Sequence, residues 1–393
     1  MSNISSSNSQ GVRVPKLRFP GFEGEWESSS LGEVGTFTKG APLSKADISE
    51  EGTPFILYGE LYTTYNEVTN AIVRKTDKEV DSSQYSRVGD VIIPTSGETP
   101  EEIATATCVM LPNVILAGDL NIFRSTKVDG RIISYIINHI VNQDISRVAQ
   151  GKSVVHIKAD ELSKIRINYP NSEEQKKLIR FLENLSARIE KQQQLVEALK
   201  SYKRGVANRI FRDMYDSSWR TICLGDICSI TMGQSPDSSS YNTDGIGLPL
   251  VQGNADITNG ITTPLRYTSN PTKVCESGSI ILSVRAPVGT VSRANQRVCL
   301  GRGVCAITSS NTDFIYQLLL CYQDSWKRIE QGGTFTAISG DDISSFSVSV
   351  PDCELQNRIA VFLSQFDTKI RDEDIILQSL QKQKLALLQQ LFI

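Results

Sequence analysis

Several things are scarce or missing in this 393-residue chain. No stretch approaches the roughly 18 consecutive apolar residues that a bilayer-spanning helix needs. The Ser/Asn-rich opening, residues 1–10, has neither the apolar core nor the small-residue cleavage site of a secretory signal, so a cytoplasmic protein with a loose tail is expected. Histidine occurs only at His139 and His156, neither with a cysteine beside it. The eight cysteines form no CxxC, the closest pairs being Cys223/Cys228 and Cys299/Cys305. Zinc sites need such clusters, so no metal is expected and the thiols read as small hydrophobes. An excess of one charge is missing too: 41 Lys+Arg against 44 Asp+Glu leave −3, which excludes a histone-like chain. Neutrality of the whole argues against a nucleic-acid partner only if the charge is evenly spread.

Catalytic signatures are absent as well. Adenine methylation needs an Asn/Asp-Pro-Pro-aromatic motif, and Asn270-Pro271-Thr272 and Tyr169-Pro170-Asn171 both fall short of it. Gly301-Arg302-Gly303 and Gly245-Ile246-Gly247 do not complete GxGxxG. Ala149-Gln150-Gly151-Lys152-Ser153 resembles the end of a phosphate loop, but Ser146 stands where the first glycine is required. A tight glycine turn is the better reading. No nucleophile, base and orienting group can be assembled, so a reader or a scaffold is expected rather than an enzyme.

What is present is self-similarity. Trp26, Leu31-Gly32-Glu33-Val34 and Gly40 return 193 residues later as Trp219, Leu224-Gly225-Asp226-Ile227 and Gly233. Further along the shift is 181: Gln150-Gly151 falls on Gln331-Gly332, Ile157 on Ile338, Pro170 on Pro351, Gln175 on Gln356 and Phe181-Leu182 on Phe362-Leu363. The chain is a tandem duplication whose second copy has lost 12 residues net.

Each copy has two regimes. Short apolar runs such as Pro54–Leu57, Val91–Pro94, Leu248–Val251 and Ser279–Leu282, punctuated by Gly, Pro, Asn and Ser, predict strands. One helix carries Ile133, Ile136, Ile137, Ile140 and Val141 on a face. After a proline the period changes. Ser172 is expected to cap a long helix with Gln175 three residues on, and apolar residues then recur at Leu178, Phe181/Leu182, Leu185, Ile189, Val196, Leu199, Val206 and Ile210. The second copy repeats this at Ile359, Phe362/Leu363, Phe366, Ile370, Leu377, Leu380, Leu387 and Leu391.

A helix over 173–211 would be roughly 60 Å long, more than one globule can cover. The two helices are therefore expected to pair antiparallel as a coiled coil between two similar globules, a dumbbell with pseudo-two-fold symmetry. The fold class is α+β: two mixed α/β globules separated by two long antiparallel helices. The expected divisions are a tail at 1–14, globules at 15–169 and 213–350, and helices at 170–212 and 351–393. Residues 164–212 hold 12 Lys/Arg and five Glu, a local +7, so the charge is segregated. In the second globule Arg285, Arg293, Arg297 and Arg302 occur with no acid between Glu276 and Asp313. Arginine suits bidentate contact with guanine edges and phosphates. The loops Thr38–Lys45 and Gly233–Asn242 carry small donors able to approach DNA closely.

Together these features resemble the specificity subunit of type I restriction–modification systems, over essentially the whole chain from Val14. The motifs are Val14-Pro15-Lys16-Leu17-Arg18-Phe19-Pro20-Gly21-Phe22 before Trp26, Val88 through Thr99, Ala117-Gly118-Asp119-Leu120-Asn121-Ile122, Ser283 through Gly289, Leu300-Gly301-Arg302-Gly303, and Pro351 through Gln356. The resemblance implies two target-recognition domains, each reading half of a split DNA site at a separation set by the helices. It implies two methyltransferase subunits that bring S-adenosylmethionine, and two restriction/translocase subunits that use ATP and Mg; no cofactor is expected on this chain. Candidate DNA-binding residues are Lys39, Lys45, Ser96, Lys152, Gln234, Ser235, Arg285, Arg293, Arg302 and Thr334. The rival reading is a two-lobed assembly scaffold that reads no bases.

Overall fold

The computed structural model describes residues 13–149, 155–213, 218–323, 325–326 and 337–393. By packing, the chain forms two compact units, residues 1–191 with 377–393 and residues 192–376. Each therefore owns parts of both long helices.

In the first unit a five-stranded sheet runs in the order Gly35–Lys39, Leu120–Ser125, Asp90–Pro94, Thr107–Val109, Val68–Thr69. Its pairs are antiparallel except the last. A three-stranded sheet, Arg74–Thr76, Thr53–Leu57, Ile115–Ala117, lies with it. The central strand explains why its sequence does not alternate. Val91 and Ile93 pack into the core under the helix Gly130–His139, while Ile92 packs with Ile56, Leu116 and Ile122. A strand covered on both faces reads as an unbroken apolar run.

The second unit repeats the plan with a six-stranded sheet containing Cys228–Met232, Val304–Ser309 and Ile280–Ser283, and a five-stranded sheet containing Leu248–Val251 and Val298–Leu300. Again neighbours part company: Ile280 and Leu282 face the core holding Phe314 and Trp326, and Ile281 faces Val251, Val298 and Leu300.

The repeat holds to the residue. Glu27–Ser30 pairs antiparallel with Arg166–Tyr169, and Arg220–Cys223 pairs with Ser347–Val350 in the same register. The one-turn helices Leu31–Val34 and Leu224–Ile227 follow directly. A Cβ on Gly32 would lie 3.1 Å from Ser163 Cβ, and one on Gly225 would lie 3.0 Å from Ser344 Cβ. Both glycines thus answer the same close packing.

The long helices span Ser172–Asn208, continued by a π-helical turn Arg209–Asp213, and Cys353–Leu391. Their caps correct one expectation: Ser172 is the first helical residue, and Asn171 caps. Its Oδ1 accepts from the Glu174 amide at 3.0 Å, as Asp352 Oδ1 accepts from Leu355 at 2.8 Å. Gln175 and Gln356 instead donate to the carbonyls of Pro170 (2.9 Å) and Pro351 (3.0 Å). Such a cap is worth about 1 kcal/mol.

Within the first unit Leu388, Leu391 and Phe392 join Trp26, Leu178 and Leu182 in one core. The Leu17 amide donates to the Gln390 carbonyl at 2.9 Å, and Arg18 binds Glu174 through two 2.8 Å bonds. Half-buried Glu67 accepts from Lys384 at 2.9 Å and pairs with His139 Nε2 at 2.7 Å. Within the second unit the helix segments run antiparallel, since Gln192 meets Glu373 at 2.7 Å and Lys203 meets Asp367 at 2.5 Å. Lys384 is the 181-residue repeat of Lys203. Among the described residues no helix is long and apolar enough to cross a membrane, and no group of three His, Cys, Asp or Glu could hold a metal.

Candidate nucleic-acid interface

The two units share a backbone framework where their strands give way to loops. In the first, the Gly40 amide donates to Leu120 O (2.9 Å), Ala41 to Leu116 O (2.8 Å), Thr95 to Asp119 O (2.7 Å) and Ile157 to Thr95 O (3.0 Å). In the second, Gly233 donates to Val304 O (3.0 Å), Gln234 to Leu300 O (2.9 Å), Val284 to Gly303 O (2.9 Å) and Ile338 to Val284 O (2.9 Å). Four matching bonds make the loops superimposable in sequence terms. Ala41 corresponds to Gln234, Ser96 to Arg285 and Gly118 to Arg302. The backbone is common and the side chains are not.

The first unit has a cleft of about 1320 Å³, lined by Gly118, Lys39, Lys45, Lys158, Asp119 and His156 among others. Lys39 and Lys45 are exposed on its rim and make no ion pair among the described residues. Arg74 also lines it but is paired with the buried Glu60. Ser96 is buried rather than presented: its hydroxyl donates to Asp119 Oδ2 at 2.9 Å, and its carbonyl accepts from the Tyr62 hydroxyl at 3.1 Å. Its hydroxyl holds the Asp119 carboxylate in place.

In the second unit Gln234, Arg285 and Arg302 are exposed. The loop beneath them is pinned. The Arg302 amide donates to Ser235 Oγ at 3.2 Å and the Gly301 amide to Val251 O at 2.8 Å. A Cβ on Gly303 would stand 2.2 Å from the Gln252 carbonyl oxygen, and one on Gly301 2.9 Å from Gln252 Cα. Only glycine fits on either side of Arg302. Ser235 is thus a support for the loop. In the neighbouring turn the hydroxyl and amide of Ser239 hold the Asp237 carboxyl below its ordinary value.

Arg293, a candidate DNA contact in the sequence, is engaged within its own unit. Its guanidinium is 2.7 Å from Asp313 and lies 4.2 Å from the Tyr316 ring centroid, so it clamps the helix Thr312–Cys321 to the sheet. Arg297 is likewise paired, with Glu276. Lys152 and Thr334 lie outside the described residues. Sequence reasoning missed Lys158 and Asp119 as residues lining the cleft. The signal for Lys158 was its place next to Ile157, which repeats as Ile338, and for Asp119 its place in the loop equivalent to Leu300–Gly303.

The model of the type I restriction modification DNA specificity domain family matches residues 23–201 and again 216–382. The chain belongs to this family. It is a DNA sequence-specificity subunit, a non-catalytic kind of protein. A Methanocaldococcus jannaschii chain assigned as the MjaX type I restriction enzyme specificity subunit is 27% identical over 375 residues, 88% of each chain. The MjaIX specificity subunit of that organism is 28% identical over 126 residues, 31% of this chain and 29% of its own. Among solved structures, the type I restriction–modification S subunit from M. genitalium covers 97% of this chain and 99% of its own at 18% identity with a TM-score of 0.63. A chain from a study of assembly and conformational transition in the type I R-M system covers 92% and 96% at 24% identity with a TM-score of 0.57. These structures establish the fold of the specificity subunit, two mixed α/β units with long helices.

Proposed function

We propose that this specificity subunit reads a split, asymmetric DNA site, one half through each unit, and that the long helices set the gap between halves and dock the modification subunits. The observation that carries the reading is the shared loop framework with unlike side chains, Ala41, Ser96 and Gly118 against Gln234, Arg285 and Arg302. One architecture presents two surfaces, as two different half-sites require. The unbroken helix Ser172–Asn208 has residues in both units, which suits a spacer of fixed length. On the helix segments of the second unit Tyr202, Phe362, Val361, Ile375 and Leu195 are exposed, an apolar surface that suits a protein partner.

The complex would hold two methyltransferase subunits carrying S-adenosylmethionine and two restriction/translocase subunits using ATP and Mg, acting in the cytoplasm. Lys39, Lys45 and Lys158 in the first unit, and Gln234, Arg285 and Arg302 in the second, are the DNA-facing groups. The test is to assemble the subunit with its modification subunits and map the adenines methylated in random duplex DNA. Two unlike half-sites at a constant gap, with salt-dependent binding, bear the reading out. An assembled complex that methylates without sequence preference would refute it in favour of a bare scaffold.

A further inference from the structure

We infer that the half-site read by the second unit contains guanine, recognised in the major groove by Arg302 with Arg285 on the adjoining loop. This deepens the proposed function and rests on it. Four arginines lie between Glu276 and Asp313, and two are already committed, Arg293 to Asp313 and Tyr316 and Arg297 to Glu276. Arg285 and Arg302 make no ion pair among the described residues. They stand on loops joined by the 2.9 Å bond from the Val284 amide to the Gly303 carbonyl. Asp256, in the loop packed against Gly303, accepts from the amides of Gln252 (2.7 Å) and Gly253 (3.3 Å) and makes no ion pair with either arginine among the described residues.

Two features favour a base over a phosphate. The flexible lysines around the cleft of the first unit supply charge without a fixed geometry. The second unit uses the planar fork instead, and the backbone that carries Arg302 is held between glycines that no larger residue can replace. The planar guanidinium can pair with O6 and N7 of guanine in a bidentate contact. At the equivalent places the first unit has Gly118 and Ser96, so guanine reading of this kind is confined to one half.

The experiment uses the assembled complex with its modification subunits, random duplex DNA as probe, and the variants Arg302→Ala, Arg302→Lys and Arg285→Ala. Arg302→Ala should lower discrimination at one guanine position of one half-site by about ten- to a hundredfold. Lysine should restore little of it, and the other half-site, unchanged, reports that the protein is folded. Placing 7-deazaguanine at that position should weaken wild-type binding and leave Arg302→Ala unaffected. A uniform loss across all sequences with unchanged preferences would make Arg302 a phosphate contact and overturn the inference while leaving the proposed function intact. So would a half-site still requiring every guanine in all three variants. Loss of both half-sites in the wild type itself would instead strike at the proposed function.

Discussion

Arg285 holds in the second unit the backbone place that Ser96 holds in the first. Each follows the residue, Val284 or Thr95, whose amide donates to the neighbouring loop and whose carbonyl accepts from Ile338 or Ile157. Ser96 turns inward onto Asp119 while Arg285 is exposed. Ser96→Ala should therefore free the Asp119 carboxylate and alter only the half-site read by the first unit. Arg285→Ala should alter only the other. The effects of the pair should add within about 0.5 kcal/mol, since no partner is shared. Methylated-site mapping on both single variants and the double checks this, and coupling between the halves would contradict it.

The Glu67–Lys384–His139 cluster gives a pH dependence. Burial pushes the Glu67 carboxyl up, but the His139 hydrogen bond and the Lys384 charge outweigh it and hold the group at about 2. That is below the ordinary value of about 4.3. A depressed carboxylate contributes stability that is complete above its unfolded value and is lost as pH falls from about 4 towards 2. Lys384→Met should move that loss to higher pH. At neutral pH it should cost about 2–3 kcal/mol, because Glu67 stays half-buried with one partner fewer. Thermal unfolding across pH 3–8 measures both; a variant whose curve merely shifts in parallel would contradict the assignment.

Two glycines should respond in opposite ways to alanine. Gly205 lies in the first long helix with nothing within 4 Å of an added Cβ. Gly205→Ala should stabilise by about 0.5–1 kcal/mol. Gly303→Ala would press on the Gln252 carbonyl oxygen at 2.2 Å, so backbone must move. It should cost about 1–3 kcal/mol and disturb the half-site of the second unit alone. Denaturant midpoints and site mapping check the two.

A four-residue insertion at Gln192–Gln194 should change the gap between half-sites and leave their sequences alone. A gap that stays constant would refute the spacer role of the helix.

Much of this was legible in the sequence. The repeat, read from Trp26, Leu31-Gly32, Pro170 and Gln175, recurs in strand registers and packed glycines. The run Leu248–Val251 is a strand end to end, and Asp90–Pro94 differs from the reading by one residue. Local chemistry misplaced the helix cap by one position, since Ser172 and Asn171 are both good caps and only the backbone decides between them. Side-chain commitments were not legible. Arg293 meets an Asp313 twenty positions away, and Ser96 turns inward because Asp119 is delivered by the loop between Ile115–Ala117 and Leu120–Ser125. Nothing in a linear pattern announces either.

Trp26 lies 6.1 Å from Phe392, ring centroid to centroid, so the first core is finished by the last turn of the chain. Under the 181-residue repeat Phe392 corresponds to Phe211, which packs on Phe314 in the second core. Residues 13–213 alone would thus expose one unfilled socket and own one plug of matching shape. Two copies could exchange them, each Phe211 taking the place of Phe392 in the other, and form a symmetric dimer.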